Sequence, residues 1–187
     1  MLNNPMIDSP TPILGFAAFS GTGKTTLLTQ LIPLLKIKGV RIGMIKHAHH
    51  NFDIDTPGKD SYELRKAGAE QMLIASQRRW ALMVETPQQG GDPDLNELIR
   101  QLDHDRLDLV LVEGFKHVRF AKIELHRPSL GKTLLFPDDD SIIAVATDQP
   151  DLIDTALPKL ALNNPAMIVD FIFEFIRPTG SSRPLAG

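Results

Sequence analysis

A three-layer α/β fold, with a mostly parallel central sheet and helices on both faces, is what this sequence predicts, and three observations carry the expectation. Short apolar runs alternate with helical patterns along most of the 187 residues. Two of the runs, Leu107 to Val112 and Ser141 to Ala146, are nearly unbroken, as strands buried on both faces are. A glycine-rich turn joins the first run directly to a helix, and the crossovers between parallel strands should be right-handed.

In chain order, Ile13 to Phe19 reads as a strand, and the helix after the turn sets Leu27, Leu31, Leu34 and Leu35 on one face. Pro33 should interrupt and bend that helix, and Lys36, Lys38 and Gly39 supply its basic last turn and its stop. A second strand follows at Val40 to Lys46. His47 to Lys59 reads as an exposed loop, and Ser61 should cap a short helix that runs through Lys66 and ends at Gly68. Strands are expected at Gln71 to Ala75 and Trp80 to Thr86, then a polar linker and a helix from Asp94 to Leu102. Lys122 to His126 alternates apolar and polar side chains, which predicts a half-exposed antiparallel strand. Asn164 should cap a last helix that begins at Pro165 and carries Met167, Ile168, Phe171, Ile172, Phe175 and Ile176 in one wide stripe.

The length suits one domain, read as residues 13–176 between a flexible leader (1–12) and a turn-rich flexible tail (177–187). Against 20 Lys and Arg stand 23 Asp and Glu, so the formal charge of -3 gives no long-range attraction to nucleic acid or to an anionic membrane. No run approaches the ~20 apolar residues that span a bilayer, and the N-terminal segment lacks the pattern of a secretory signal. There is no cysteine, hence no disulfide or thiolate site, and the expected location is cytoplasmic.

Ala18-Phe19-Ser20-Gly21-Thr22-Gly23-Lys24-Thr25 fits the P-loop pattern at every position but the first, where alanine replaces glycine. Glycines let successive backbone N–H groups converge on phosphate oxygens, and the following helix presents its positive end. Lys24 then reaches the β- and γ-phosphates of a nucleoside triphosphate, and the Thr25 hydroxyl would ligate Mg2+. Glu113 ends the buried strand Asp108 to Glu113, where a Walker B acid holds magnesium, and Gly114 beside it would let the γ-phosphate approach the backbone.

Other polar clusters leave alternatives open. His47, His49 and His50, with Asp53 and Asp55, suit a transition metal, a phosphate or a solvated loop. Asp60 suits either a cap or a group that positions metal-bound or attacking water, and Arg65 reads as a surface charge. Asp148 follows the 141–146 strand where a base-reading loop is placed, and would accept from guanine N1 and N2, although a turn-forming role before Pro150 is equally consistent. Trp80 and Phe115 read as packing residues, and no arginine finger is assignable.

Four blocks, Phe19 to Thr26, Ile45 to His50, Gly58 to Ala69 and Leu111 to Lys116, together resemble the molybdopterin-guanine dinucleotide biosynthesis protein B (MobB) family in order and spacing. The resemblance implies a P-loop NTPase fold with a small added β segment at Lys122 to Leu135, where a dimer contact is expected. It also implies a cytoplasmic, homodimeric GTP-binding adaptor with weak Mg2+-dependent GTPase activity, acting beside the molybdopterin guanylyltransferase and other molybdenum cofactor enzymes. By position it implies that Ser20, Gly21, Thr22, Gly23, Lys24, Thr25 and Thr26 hold the nucleotide, that Glu113 is the Walker-type acid, and that His49, His50 and Asp60 belong to a loop near it. Two rival readings are a small-molecule P-loop kinase, with Arg78 and Arg79 as lid candidates, and a nucleotide-gated metal chaperone built on the histidines.

Overall fold

The computed structural model describes residues 7–48, 52–86 and 92–177. Their contacts divide into two units, one formed by the chain up to His47 and from Pro93 onward, the other by Ala48 to Asp92.

The first unit begins with β1 (Ile13–Ala17), α1 (Lys24–Ile37) and β2 (Ile42–Lys46). The chain crosses the second unit through α2 (Asp60–Lys66), β3 (Gln71–Ala75) and β4 (Trp80–Val84). It returns with α3 (Leu95–Ile99), β5 (Leu109–Glu113), β6 (Lys122–His126), β7 (Ile142–Thr147), β8 (Lys159–Ala161) and α4 (Pro165–Ile176). The six strands of the first unit form one parallel sheet in the order β2-β5-β1-β6-β7-β8.

Successive strand residues alternate between the two faces of a sheet, so each face has its own apolar layer. On one face, Leu14 and Phe16 of β1, Leu109 and Leu111 of β5, and Ile123 and Leu125 of β6 pack with Leu28, Leu31 and Leu35 of α1 and Ile168 and Ile172 of α4. On the other, Ile13, Val110 and Val112 meet Leu95 and Ile99 of α3 with Phe115 and Phe120. Ile7 packs on this second layer, and the buried Thr11 bonds through its hydroxyl to His104 Nδ1 at 2.9 Å. β1 lies between β5 and β6, where chain connections leave in opposite directions, and in such sheets ligands bind at the carboxyl ends of the strands.

Several local expectations need correction. β6 is neither antiparallel nor half-exposed: it runs parallel between β1 and β7, and all five residues are buried. Two of its polar residues, Lys122 and Glu124, have partners inside. Lys122 Nζ donates to Asp139 Oδ2 at 3.0 Å and to Ser141 Oγ at 2.9 Å, and the Glu124 carboxylate accepts the N–H groups of Leu135 at 2.8 Å and Phe136 at 2.9 Å. A strand enclosed in this way leaves no dimer edge at Lys122 to His126. α1 runs through Pro33, which sits on its exposed side, as a helix of 14 residues. Ser61 does not cap α2; its hydroxyl donates to Asp55 Oδ1 at 3.0 Å, and Lys59 takes the cap position. Asn164 likewise makes no side-chain cap bond at α4. α3 stops at Ile99 because the next bonds, Gln101 N–H to Leu98 and Leu102 N–H to Ile99, tighten to the three-residue spacing of a 3-10 turn.

In the second unit β3 and β4 pair antiparallel, Leu73 opposite Leu82 and Ala75 opposite Trp80. Arg78 and Arg79 occupy the turn between them, closed by the Ser76 N–H bond to the Arg79 carbonyl at 2.7 Å. Arg65 is no surface charge: its side chain is 8% exposed and donates to Asp53 Oδ1 at 2.6 Å and to Glu85 Oε1 at 2.5 Å. Those two carboxylates hold the guanidinium firmly in its charged form, and Arg65 in turn holds the Asp53 carboxyl below its ordinary range.

Candidate nucleotide-binding site

Between β1 and α1 the chain must reverse over six residues, and it does so with Gly21 at φ 82° and Gly23 at φ 95°, left-handed conformations that favour glycine. A Cβ at either position would meet nothing within 4 Å, so it is the left-handed backbone and not a close neighbour that calls for glycine here. Thr22 folds the turn inward, its hydroxyl donating to the Phe19 carbonyl at 2.8 Å. Ser20, Gly21, Thr25 and Thr26 are exposed, whereas Thr22 is buried. Gly23 occupies the N-cap of α1 and no side chain caps that end, so the first N–H groups of α1 remain for an anion.

Glu113, the last residue of β5, stands in register with Phe16 of β1 and Lys46 of β2. Its carboxylate lies 3.7 Å from Lys24 Nζ through Oε1 and 3.2 Å from Lys46 Nζ through Oε2. The lysine that opens α1 and the acid that ends β5 are thus brought together at the carboxyl edge of the sheet. Thr25 and Glu113 are both hard oxygen donors, the type Mg2+ selects. Among the described residues no group of three or more His, Asp or Glu side chains forms a metal cage.

The chain then turns through two consecutive left-handed residues, Gly114 at φ 97° and Phe115 at φ 52°. A Cβ on Gly114 would come within 2.6 Å of His47 Cβ, so the space this glycine leaves is filled by the histidine. The His47 ring stacks on Phe115 with centroids 4.9 Å apart, and Phe115 is buried, a packing residue as expected. Trp80 is not: it is 68% exposed on β4.

Asp148, just past β7, accepts from Arg127 Nη1 at 2.6 Å through Oδ2. Asp60 is the first residue of α2 in the other unit, where it is exposed. His49 and His50 lie outside the described residues. Two residues at this sheet edge were not singled out from sequence. Lys46 ends β2 beside Glu113, and its signal was its place at a strand end. Arg127 follows β6, and it was hidden by reading β6 as a peripheral antiparallel strand.

The family model for molybdopterin guanine dinucleotide synthesis protein B matches residues 13–148, which include the phosphate loop, Glu113 and Asp148. The molybdopterin-guanine dinucleotide biosynthesis adapter protein of Escherichia coli is 53% identical over 169 residues, covering 89% of this chain and 94% of the relative. The adapter protein of the same name from Haemophilus influenzae is 44% identical over 167 residues, covering 89% and 90%. A crystal structure of molybdopterin-guanine biosynthesis protein B superposes with a TM-score of 0.70 at 26% identity, covering 89% of this chain and 99% of that one. With that family model matched over residues 13–148 and two adapter proteins 53% and 44% identical over most of their length, the protein belongs to the molybdopterin guanine dinucleotide synthesis protein B (MobB) family.

Proposed function

We propose that this chain is a guanine-nucleotide-binding adaptor of molybdopterin guanine dinucleotide synthesis, a slow GTPase that acts beside the enzyme attaching GMP to molybdopterin. The observation that carries the reading is the pairing of Lys24 with Glu113 at the open mouth of a glycine-rich loop, in a chain whose relatives are named as adapters of that pathway. Lys24 and the uncapped start of α1 neutralise the triphosphate, and the Thr25 hydroxyl and Glu113 would hold Mg2+, which supplies further charge neutralisation on the phosphates. When a triphosphate takes Lys24, Glu113 keeps Lys46 as its cationic partner. Of the two acids named for orienting water, Glu113 has a placement that supports the role; for Asp60, exposed at the start of α2, it rests on the sequence reading alone.

The dimer expectation also finds a surface. Leu73, Trp80, Leu82 and Val84 project from one face of the β3–β4 hairpin and are all exposed, while Met83, on the opposite face, is buried. A two-stranded sheet with an uncovered apolar face is marginal alone in water, and a second copy of the chain would cover it.

Phosphate release from GTP in Mg2+ tests the adaptor, with and without the molybdopterin guanylyltransferase. Slow release that changes when the enzyme is added supports the reading. Rapid release indifferent to the enzyme would replace it with an independent hydrolase, and GDP formed without free phosphate once a small acceptor is supplied, the phosphoryl group passing to that acceptor, would replace it with a kinase.

A further inference from the structure

Arg127 is the first residue after β6, at the carboxyl edge of the sheet, and its guanidinium bonds in three directions. Nε donates to the Thr22 carbonyl oxygen at 3.0 Å, Nη1 to Asp148 Oδ2 at 2.6 Å and Nη2 to Asn163 Oδ1 at 3.1 Å. The acceptors belong to the phosphate loop after β1 and to the segments after β7 and β8. A planar fork with three nitrogens engaged fixes the spacing of all three loops at once, which a lysine ammonium on a flexible stem does not. Arg127 is also buried enough to matter, with its side chain 28% exposed and that of Asp148 19%.

The carboxylate it holds is only half used. Asp148 Oδ1 is buried and has no hydrogen-bond partner among the described residues, an uncommon state for a carboxylate oxygen. With Oδ2 anchored, the carboxylate cannot rotate away, and an acceptor of fixed position is what a base with two adjacent N–H donors requires. Guanine offers N1–H and N2–H; adenine presents an acceptor lone pair at N1, which a fixed carboxylate repels.

We infer that Arg127 is a positioning residue for base selection, holding Asp148 at a set distance from the phosphate loop so that guanine and triphosphate are recognised together. The inference rests on the proposed guanine-nucleotide function and on the sequence expectation that Asp148, just past β7, accepts from guanine N1 and N2.

The test is calorimetric titration of the full chain with GTP, ATP, XTP and inorganic triphosphate in Mg2+ buffer, for the wild type, Arg127→Gln, Arg127→Lys and Asp148→Asn. Circular dichroism melts without nucleotide confirm folding, and Arg127→Lys, which keeps the charge, carries the test if the glutamine variant does not fold. Both Arg127 variants should lose about tenfold in GTP affinity and in the preference for GTP over ATP, with inorganic triphosphate affinity nearly unchanged. Asp148→Asn should turn the preference from GTP to XTP, because its amide donates where the carboxylate accepts. If the Arg127 variants weaken GTP and inorganic triphosphate equally, or keep the GTP preference, Arg127 is only a brace and the inference is wrong. An Asp148→Asn variant that still prefers GTP overturns the base-reading role of Asp148 and the inference with it. A wild type that binds no nucleotide overturns the proposed function itself.

Discussion

Lys24 and Glu113 show how much one side chain decides at this site. Lys24→Ala removes the only side-chain cation in the P-loop sequence from Ser20 to Thr26, and triphosphate affinity should fall about 100-fold or more. Glu113 keeps Lys46 at 3.2 Å, so the melting temperature should change little; unchanged affinity in a calorimetric titration would refute the phosphate-cradle assignment. Glu124 has a different role. Burial pushes its carboxyl above the ordinary range, and the N–H groups of Leu135 and Phe136 only partly oppose this. A folded-state pKa above the unfolded one means that the native state binds the proton more tightly, so stability declines as pH rises through the folded value. Glu124→Gln should remove that decline while costing about 1 to 3 kcal/mol, because one of the two N–H groups loses its acceptor. Asp108 works in the opposite sense: hydrogen bonds from Arg41 hold its carboxyl below the usual range. Its contribution is present above the unfolded pKa and is lost as pH falls through the folded one. Thermal melts across pH for Glu124→Gln and Asp108→Asn separate the two limbs.

At the scale of elements, β1 is the strand that aims the phosphate loop, and Gly15 lets its neighbours close on it. A Cβ there would lie 2.4 Å from Phe120 Cε2 and 3.2 Å from Lys122 Cγ. Gly15→Ala should therefore cost about 1 to 3 kcal/mol, measured by urea denaturation, and loosen nucleotide binding without touching a ligand group. The strands that were legible in the sequence were those whose composition matches their burial: β1, β5 and β7 are apolar runs in an enclosed sheet. β6 was misread because Lys122, Glu124 and His126 mimic a half-solvated strand, and the partners of Lys122 and Glu124 come from residues 135–141, which no periodicity announces. β8 has only three residues, too few for a pattern. In the site, the phosphate loop and Glu113 were readable because each is a local motif at a strand end. Arg127 was not, since its three acceptors are separated from it by 105, 21 and 36 positions in sequence and only the fold brings them together. The added β segment expected at Lys122 to Leu135 is instead the β3–β4 hairpin, and its exposed Trp80 shows that an aromatic residue in an apolar strand need not face a core.

For the whole molecule, family membership and the parallel sheet establish the frame, and two properties follow as predictions. Leu73 and Leu82 face each other on the uncovered side of the hairpin, 61% and 43% exposed. Leu73→Glu with Leu82→Glu should convert a dimer to a monomer in light scattering while leaving the parallel sheet intact; an unchanged mass would place the dimer contact elsewhere. Among the described residues no helix is long and apolar enough to cross a membrane. The most direct measurement is competitive calorimetry of the wild-type chain with GTP and ATP in Mg2+, repeated on Lys24→Ala. The account predicts tight GTP binding, ATP weaker by about tenfold or more, and loss of both in the variant. Equal affinity for the two nucleotides, or GTP binding that survives removal of Lys24, would contradict it.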